Sequence, residues 1–458
     1  MSKKKSKGSK KTAGKKNNSR QPQSPVRLSQ CMIVKNEERH IERALGWAKD
    51  FAYEQIVVDT GSTDRTVELA EKFGAKVVHF KWINDFSAAK NFAMDQAKGN
   101  WIAILDADEY MPREDVKELM DILKKIQSDP TMAKQYDAIT NSWVQLDDND
   151  NAFAILTNQR IFRNSPELRY EGKIHEVVNI RNQVVNATNL RIMHTGYAAS
   201  VFNEADKRER NLKLLRDENK RDPEDPDIML YLADSLKAAG SEESRAEAEE
   251  LYLKALKSTR PAKTMIKQLA YDFLIPRYSG DIRYADEKVR KDEALKLCDE
   301  AIAELPAHID YYYYRAILNN QRGKFKEAHD DLTVCENAFL SGGTLPSTRI
   351  LLPSPTPLFY QLKVAAKGLG DEGSIVKSST ILHTMLMDSR DDSDTLGSFI
   401  KSILVFETSE DDALAELSEV YDLNNPKDLM FIARAAKDSG AIGFTRKIME
   451  MTQALLDS

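Results

Sequence analysis

From Leu28 onward, short apolar runs alternate with amphipathic stretches. Leu28-Ser-Gln-Cys-Met-Ile-Val34 reads as a buried strand, and residues 37–48 then place Ile41, Ala44, Leu45 and Ala48 at helical spacing. Gln55-Ile-Val-Val-Asp59 predicts a second strand and residues 65–73 a second helix. Residues 76–79 predict a third strand, 87–97 a helix, and Trp101-Ile-Ala-Ile-Leu105 a fourth strand. Strand and helix alternating over so short a span predict parallel βαβ units. Ligands of such sheets bind beyond the carboxyl ends of the strands, so the polar residues there are the first candidates for chemistry.

The texture then changes twice. Residues 137–145, 154–162, 176–180 and 190–193 are strand-like with few helix signals, whereas nearly everything after Ala199 is helical. The helical half carries a repeat. Ala294, Cys298 and Ala301 recur 34 residues later as Ala328, Leu332 and Cys335, the period of a tetratricopeptide repeat. Ala248, Tyr252 and Ala255 form an earlier set, 46 residues before the next, which predicts an insertion around residues 276–287. The run Tyr311–Tyr314 is expected to pack at a helix interface, with a peptide-contacting ridge as the alternative. Asp222-Pro-Glu-Asp-Pro226 marks a boundary or a tight turn, and residues 342–357 are a Gly/Pro-rich break before further helices. The expected organisation is a basic tail (1–26), an α/β domain (27–200), helical repeats (201–340), and a linker with a C-terminal helical region (341–458).

Composition narrows the class. The chain has 458 residues, 41% hydrophobic and 30% charged, which suits a globular protein of two to four domains. No apolar run is long enough to cross a membrane as a helix. The three cysteines, Cys31, Cys298 and Cys335, form neither a disulfide framework nor a closely spaced zinc site. The expected setting is therefore reduced and cytoplasmic. Residues 1–36 hold eleven Lys and Arg and no acid, within a chain of net charge −6. Residues 1–25 have almost nothing to bury and read as a solvated, disordered tail. Electrostatic attachment of this tail to nucleic acid, ribosome or anionic lipid is the alternative reading.

Four polar clusters follow the βαβ strands: Lys35-Asn36-Glu37-Glu38, Asp59-Thr-Gly-Ser62-Thr-Asp64, Asp85-Phe-Ser-Ala-Ala-Lys90-Asn91 and Asp106-Ala-Asp108-Glu109. The last is the most informative. In extended chain, residues i and i+2 point the same way, so Asp106 and Asp108 can converge on one divalent cation. Oxygen ligands suit Mg²⁺ or Mn²⁺, which commonly bridge to phosphates. Asp59 can accept hydrogen bonds from a base or a ribose, or can cap the following turn. For Ser62 and Asp64, helix capping is the competing role.

Taken in order, these motifs resemble the catalytic domain of family 2 glycosyltransferases, which have the GT-A fold. The resemblance rests on Val34–Glu37, Val58–Asp64, Asp85–Asn91, Trp101–Glu109, Tyr170-Glu-Gly-Lys-Ile-His-Glu176 and His194-Thr-Gly-Tyr197. Coupled to C-terminal tetratricopeptide repeats, it is similar to the SunS-like bacterial peptide glycosyltransferases. The resemblance implies a Rossmann-like, mostly parallel sheet followed by all-α repeats. It also implies an inverting, metal-dependent hexosyltransferase that uses a UDP-sugar. On that basis Asn36, Glu37, Asp59, Ser62, Lys90, Asn91 and Asp106 would face the donor. Asp106, Asp108 and His194 would hold Mn²⁺ or Mg²⁺, with Asp108 the direct ligand. Glu176 or His175 would serve as the base, with Glu171 a further candidate. One departure stands out: the family commonly has Ala-Arg-Asn where this chain has Ala89-Lys90-Asn91. Lysine keeps a positive charge but loses the two-pronged grip of arginine.

A protein or peptide acceptor recognised by the repeats is the leading expectation, since concave faces of stacked repeats are common binding surfaces. The repeats would alternatively make a homodimer. A saccharide or lipid-linked acceptor is the nearest alternative. A non-catalytic adaptor with a dead transferase domain is disfavoured by the retained Asp59, Asp106, Asp108, Glu176 and His194. A nucleotidyltransferase is disfavoured because no early Gly-rich signature follows the first strand.

Overall fold

The computed structural model describes residues 25–147, 149–195, 201–280, 289–340, 355–404 and 410–457. The basic tail up to residue 24 and nearly all of the Gly/Pro break lie outside the described residues. So does much of the insertion expected at 276–287. The chain divides into two compact units, residues 1–218 and 219–458.

The first unit opens with β1 (Leu28–Val34), α1 (Ile41–Gly46), β2 (Glu54–Asp59), α2 (Thr66–Phe73), β3 (Lys76–His79), α3 (Phe86–Gln96) and β4 (Trp101–Ile104). It continues with β5 (Glu109–Tyr110), α4 (Arg113–Ser128), α5 (Pro130–Gln135), β6 (Tyr136–Leu146) and β7 (Ala152–Arg163). It ends with β8 (Tyr170–Glu171), β9 (Val177–Val178), β10 (Gln183–His194) and most of α6 (Val201–Arg221). Eight strands form one sheet in the order β3-β2-β1-β4-β7-β6-β10-β5, and β8 pairs with β9 separately. The pairs β3-β2, β2-β1, β1-β4 and β6-β10 are parallel. Those made by β7 and β5 are antiparallel. This is the mostly parallel sheet expected of the α/β domain.

Strand alternation explains the two covered faces. Cys31, Ile56, Val58, Ile102 and Ile104 pack with Ala93 and Met94 of α3. Their neighbours Met32, Val34 and Val57 turn the other way, onto Ile41, Ala44 and Leu45 of α1 and Ala70 of α2. Leu28, Trp101, Ala103 and Leu105 close a third cluster with Leu119, Leu123 and Ile126 of α4. With a helix layer on each face, the polar ends of β1, β2 and β4 are left to line one edge.

The second unit is helical throughout its described residues. It comprises α7 (Pro226–Ala239), α8 (Glu242–Leu256), α9 (Thr264–Ser279), α10 (Lys291–Glu304), α11 (Ile309–Gln321) and α12 (Phe325–Leu340). The remaining helices are α13 (Thr356–Leu369), α14 (Glu372–Asp388), α15 (Ser393–Leu404), α16 (Glu410–Ser418), α17 (Pro426–Asp438) and α18 (Ile442–Leu456). The Asp-Pro-Glu-Asp-Pro segment is a turn whose Asp225 caps α7 by accepting from the Asp227 and Ile228 amides. The three repeat sets fall on α8, α10 and α12, and all nine of their side chains are buried. Small residues at those points let neighbouring helices approach closely. Tyr311, Tyr313 and Tyr314 are also buried, so the tyrosine run packs within the helices.

Candidate active site

The loops after β1 and β2 are sewn together. Asn36 takes a left-handed backbone, φ 58°, which turns its side chain amide toward the neighbouring loop. Its Oδ1 accepts from the Thr63 amide at 2.7 Å, and its own amide donates to Ser62 Oγ at 3.0 Å. The Glu37 amide donates to Thr66 Oγ1 at 2.7 Å and the Glu38 amide to Asp64 at 3.2 Å. Asp59 is buried at the end of β2. Its carboxylate accepts from the Ser62 amide at 2.9 Å and the Gly61 amide at 3.2 Å, and contacts His79 Nδ1 at 3.2 Å. Burial would raise its pKa, but these hydrogen bonds outweigh burial and lower it. Asp59 therefore shapes the turn that presents Thr60 and Asn36 to the cleft.

The Asp-x-Asp segment lies between β4 and β5. Strand β5 is only two residues long, yet it pairs antiparallel with the end of β10, setting His194 opposite Glu109. The Asp108 carbonyl also accepts from the Thr195 amide at 3.0 Å and from Thr195 Oγ1 at 3.1 Å. This pairing brings His194, far along the chain, to the two aspartates. His194 Nε2 lies 3.5 Å from Asp108 Oδ2, and its Nδ1 lies 2.7 Å from Gln145 Oε1. Both ring nitrogens thus face acceptor oxygens, an arrangement that favours a proton on each. Burial would lower the His194 pKa, but the hydrogen bond and charge of Asp108 outweigh it and raise it.

Asp106 belongs to a different network. Its carboxylate meets Lys90 Nζ at 3.3 Å and Arg160 at 3.0 Å. Arg160, from β7, also binds the buried Glu109 at 2.7 Å, and Glu109 accepts from the Asp106 amide at 2.9 Å. Burial would raise the Asp106 pKa, but Lys90 and Arg160 hold its carboxyl well below the usual range. Burial also pushes the Glu109 pKa up, with Arg160 opposing it. Lys90 is buried on α3 and reaches Glu176 at 2.7 Å as well. Burial alone would favour its neutral form, yet the two carboxylates keep it charged. The Lys90 ammonium, expected to attract phosphate, is thus committed to Asp106 and Glu176.

The loop carrying His175 and Glu176 joins β8 to β9 and is pinned by α3. Asn91 donates to the Tyr170 carbonyl at 2.9 Å and accepts from the Tyr170 amide at 2.8 Å. Ser87 donates to the Gly172 carbonyl at 2.5 Å, and the Phe86 amide to the Lys173 carbonyl at 2.9 Å. His175 has a left-handed backbone, φ 52°. Burial pushes the Tyr170 hydroxyl, beside Lys90, up to about 12.

These elements enclose one cleft of about 810 Å³. Asn36, Glu37, Lys90, Asp106, Asp108, His175, Glu176 and His194 all line it. Asp59, Ser62, Asn91 and Glu171 do not. The first two support the wall from behind, Asn91 anchors β8, and Glu171 accepts from Asn179 at 3.0 Å. The expected metal triad is not assembled as such. Asp108 faces His194 while Asp106 is held by two cations, and among the described residues no three His, Cys, Asp or Glu side chains form a metal cluster. Sequence reasoning missed Thr60, Trp82, Trp143, Arg160 and Arg210, all of which line the cleft. Arg160 had one legible signal, a charge inside the otherwise strand-like Ala152–Arg163.

Residues 29–183 match the sequence profile described as Glycosyl transferase family 2. A TPR repeat-containing protein of Synechococcus elongatus is 31% identical over 317 residues, covering 67% of this chain and 74% of that protein. The chain belongs to glycosyl transferase family 2. The SPbeta prophage-derived glycosyltransferase SunS of Bacillus subtilis is 27% identical over 210 residues, 45% of this chain and 48% of SunS. The chain thus spans about half of that relative's length. Among solved structures, S. aureus TarS 1-349 in complex with UDP-GlcNAc aligns with a TM-score of 0.32 at 13% identity. That alignment covers 69% of this chain and 92% of TarS 1-349.

Proposed function

We propose that this glycosyltransferase moves a sugar from a UDP-sugar to a hydroxyl or thiol of a protein or peptide acceptor, with inversion at the anomeric carbon. The observation that carries this reading is convergence. Asp108, His194 and Glu176 come from separate parts of the chain yet line one cleft beyond the strand ends. Asn36, Thr60 and Glu37 would face the nucleoside, on a wall stiffened by Asp59 and Ser62.

Asp108 and His194 fit a divalent cation. A carboxylate and an imidazole, whose Nε2 would give up its proton to the metal, suit Mn²⁺, and phosphate oxygens and water complete such sites. A cation bound there would neutralise the charge that builds on the departing diphosphate. Asp106, clamped by Lys90 and Arg160, would position the donor without being the principal metal ligand.

Glu176 would take the proton of the acceptor as its oxygen or sulfur attacks the anomeric carbon. The new glycosidic bond forms on the face opposite the leaving nucleoside diphosphate, which departs with the bonding electron pair. Lys90 holds the Glu176 carboxylate in place through the 2.7 Å contact. The helical unit would recognise the acceptor chain. The first experiment is donor hydrolysis with UDP-glucose, UDP-galactose, UDP-N-acetylglucosamine and GDP-mannose, with and without Mn²⁺. Mn²⁺-dependent release of UDP is expected. Hydrolysis of GDP-mannose alone, or equal rates in EDTA, would overturn the donor or the metal assignment.

A further inference from the structure

Most of the charges along the cleft are held in pairs. Lys90 and Arg160 are answered by Asp106, Glu109 and Glu176, and Asp108 faces His194. Arg210, on α6, has no carboxylate partner among the described residues. Its guanidinium donates only to the side chain of its neighbour Asn211, at 3.2–3.3 Å. It lies over the Phe86 ring, 5.1 Å from the centroid, and lines the cleft. Partial loss of surrounding water lowers the Arg210 pKa. A guanidinium laid on an aromatic ring at the cleft, with no carboxylate opposite it, can turn its donors to a bound anion.

Its surroundings say which side of the cleft it serves. Phe86 packs edge-on against Trp82, with ring centroids 4.9 Å apart, and the Trp82 indole N–H is held by Asn84 at 2.9 Å. The Phe86 amide is bonded to Lys173, three residues before Glu176. Lys173 in turn grips the buried Glu218 of α6 at 2.7 Å. Arg210, Trp82 and Phe86 are therefore built onto the loop of the candidate base. Asn36 and Thr60, on the nucleoside wall, belong to the loops after β1 and β2.

We infer that Arg210, backed by Phe86 and Trp82, is an acceptor subsite for an anionic group, a carboxylate or a phosphate, borne near the atom that receives the sugar. This rests on the glycosyltransferase reading above. Arginine presents a planar fork that pairs two oxygens at once, and the aromatic faces would cover the apolar part of the acceptor beside it.

The test is calorimetric titration of the full chain saturated with UDP and Mn²⁺, which occupy the donor side. The probes are glycerol 3-phosphate, N-acetylglutamate and neutral glycerol. Either or both anions should bind and glycerol should not, and the stronger of the two identifies the group. Arg210→Met, which keeps the apolar stem over Phe86, should weaken anion binding by about tenfold or more, while UDP affinity stays unchanged. Arg210→Lys should recover part of the loss. Anion binding no better than glycerol, or unchanged in Arg210→Met, would overturn the subsite. A loss of UDP affinity in Arg210→Met would instead assign the residue to the donor diphosphate. If UDP fails to bind the unaltered protein, the UDP-sugar reading falls, and the same anion titration without UDP decides the subsite alone.

Discussion

Asp108 and His194 face each other at 3.5 Å, and the other His194 nitrogen is held by Gln145 at 2.7 Å. Asp108→Asn should therefore lower Mn²⁺ affinity and transfer together, since it keeps the shape and removes the charge. Mn²⁺ binding followed by electron spin resonance, beside a turnover assay, checks this. Unchanged Mn²⁺ affinity would remove Asp108 from the ligand set. Glu176→Gln should reduce turnover by about 10² or more with little change in donor KM, the scale of a lost general base. If Glu176→Gln turns over normally while His175→Ala is dead, the base is His175, which lines the same cleft. Asp106, Asp108 and Glu176 were legible because strand ends and motif order mark them. Arg160 announced itself only as a charge within a strand-like run, because its partners Asp106 and Glu109 are set by where β7 falls in the sheet, which no local pattern encodes.

At the scale of elements, α3 acts as a bracket for the β8–β9 loop. Asn91→Ala would strip partners from both the amide and the carbonyl of Tyr170, costing about 1–3 kcal/mol for each group kept from water. Urea unfolding should show that loss, and turnover should fall with it because Glu176 rides on the same loop. Wild-type stability in Asn91→Ala would mean that the hairpin is held by other contacts. Gly99 makes a second structural demand. A Cβ there would run into the Arg27 carbonyl and the Ser29 backbone, so Gly99→Ala should cost about 1–3 kcal/mol by overpacking. The first four strands were readable to within a residue: β1, β2 and β4 are largely buried and carry concentrated apolar residues, and β3, at the sheet edge, is marked by its Val77-Val78 pair. Strand β10 was seen only as residues 190–193, although it begins at Gln183. Its register with β6 shifts between Asn186 and Arg191, and polar residues break its alternation. Strand β5 has no sequence signature at all. Two residues become a strand only because β10 lies beside them, and that is the pairing that delivers His194.

At the scale of the whole molecule, every residue lining the cleft lies between Ile33 and Asn211, inside the first unit. The repeat period in the second unit was legible because small buried residues recur on α8, α10 and α12. The helices α13–α18 carry no such spacing and announced only that they are helical. This division predicts how the chain behaves when cut. A fragment of residues 25–221 retains α6 with its buried Leu214 and Leu215, the Lys173–Glu218 ion pair and the complete cleft. It should bind UDP with Mn²⁺ within about twofold of the full chain, a difference of roughly 0.4 kcal/mol. If the helical unit recognises the acceptor chain, the same fragment should hydrolyse donor yet fail to glycosylate a macromolecular acceptor that the full chain modifies. Calorimetric titration with UDP and a transfer assay on the same preparation separate the two claims. A large loss of UDP affinity in a folded fragment, judged by circular dichroism, would show that the second unit helps to build the donor site. Undiminished transfer would show instead that acceptor recognition is already complete in the first unit, where Arg210, Trp82 and Phe86 stand beside the base.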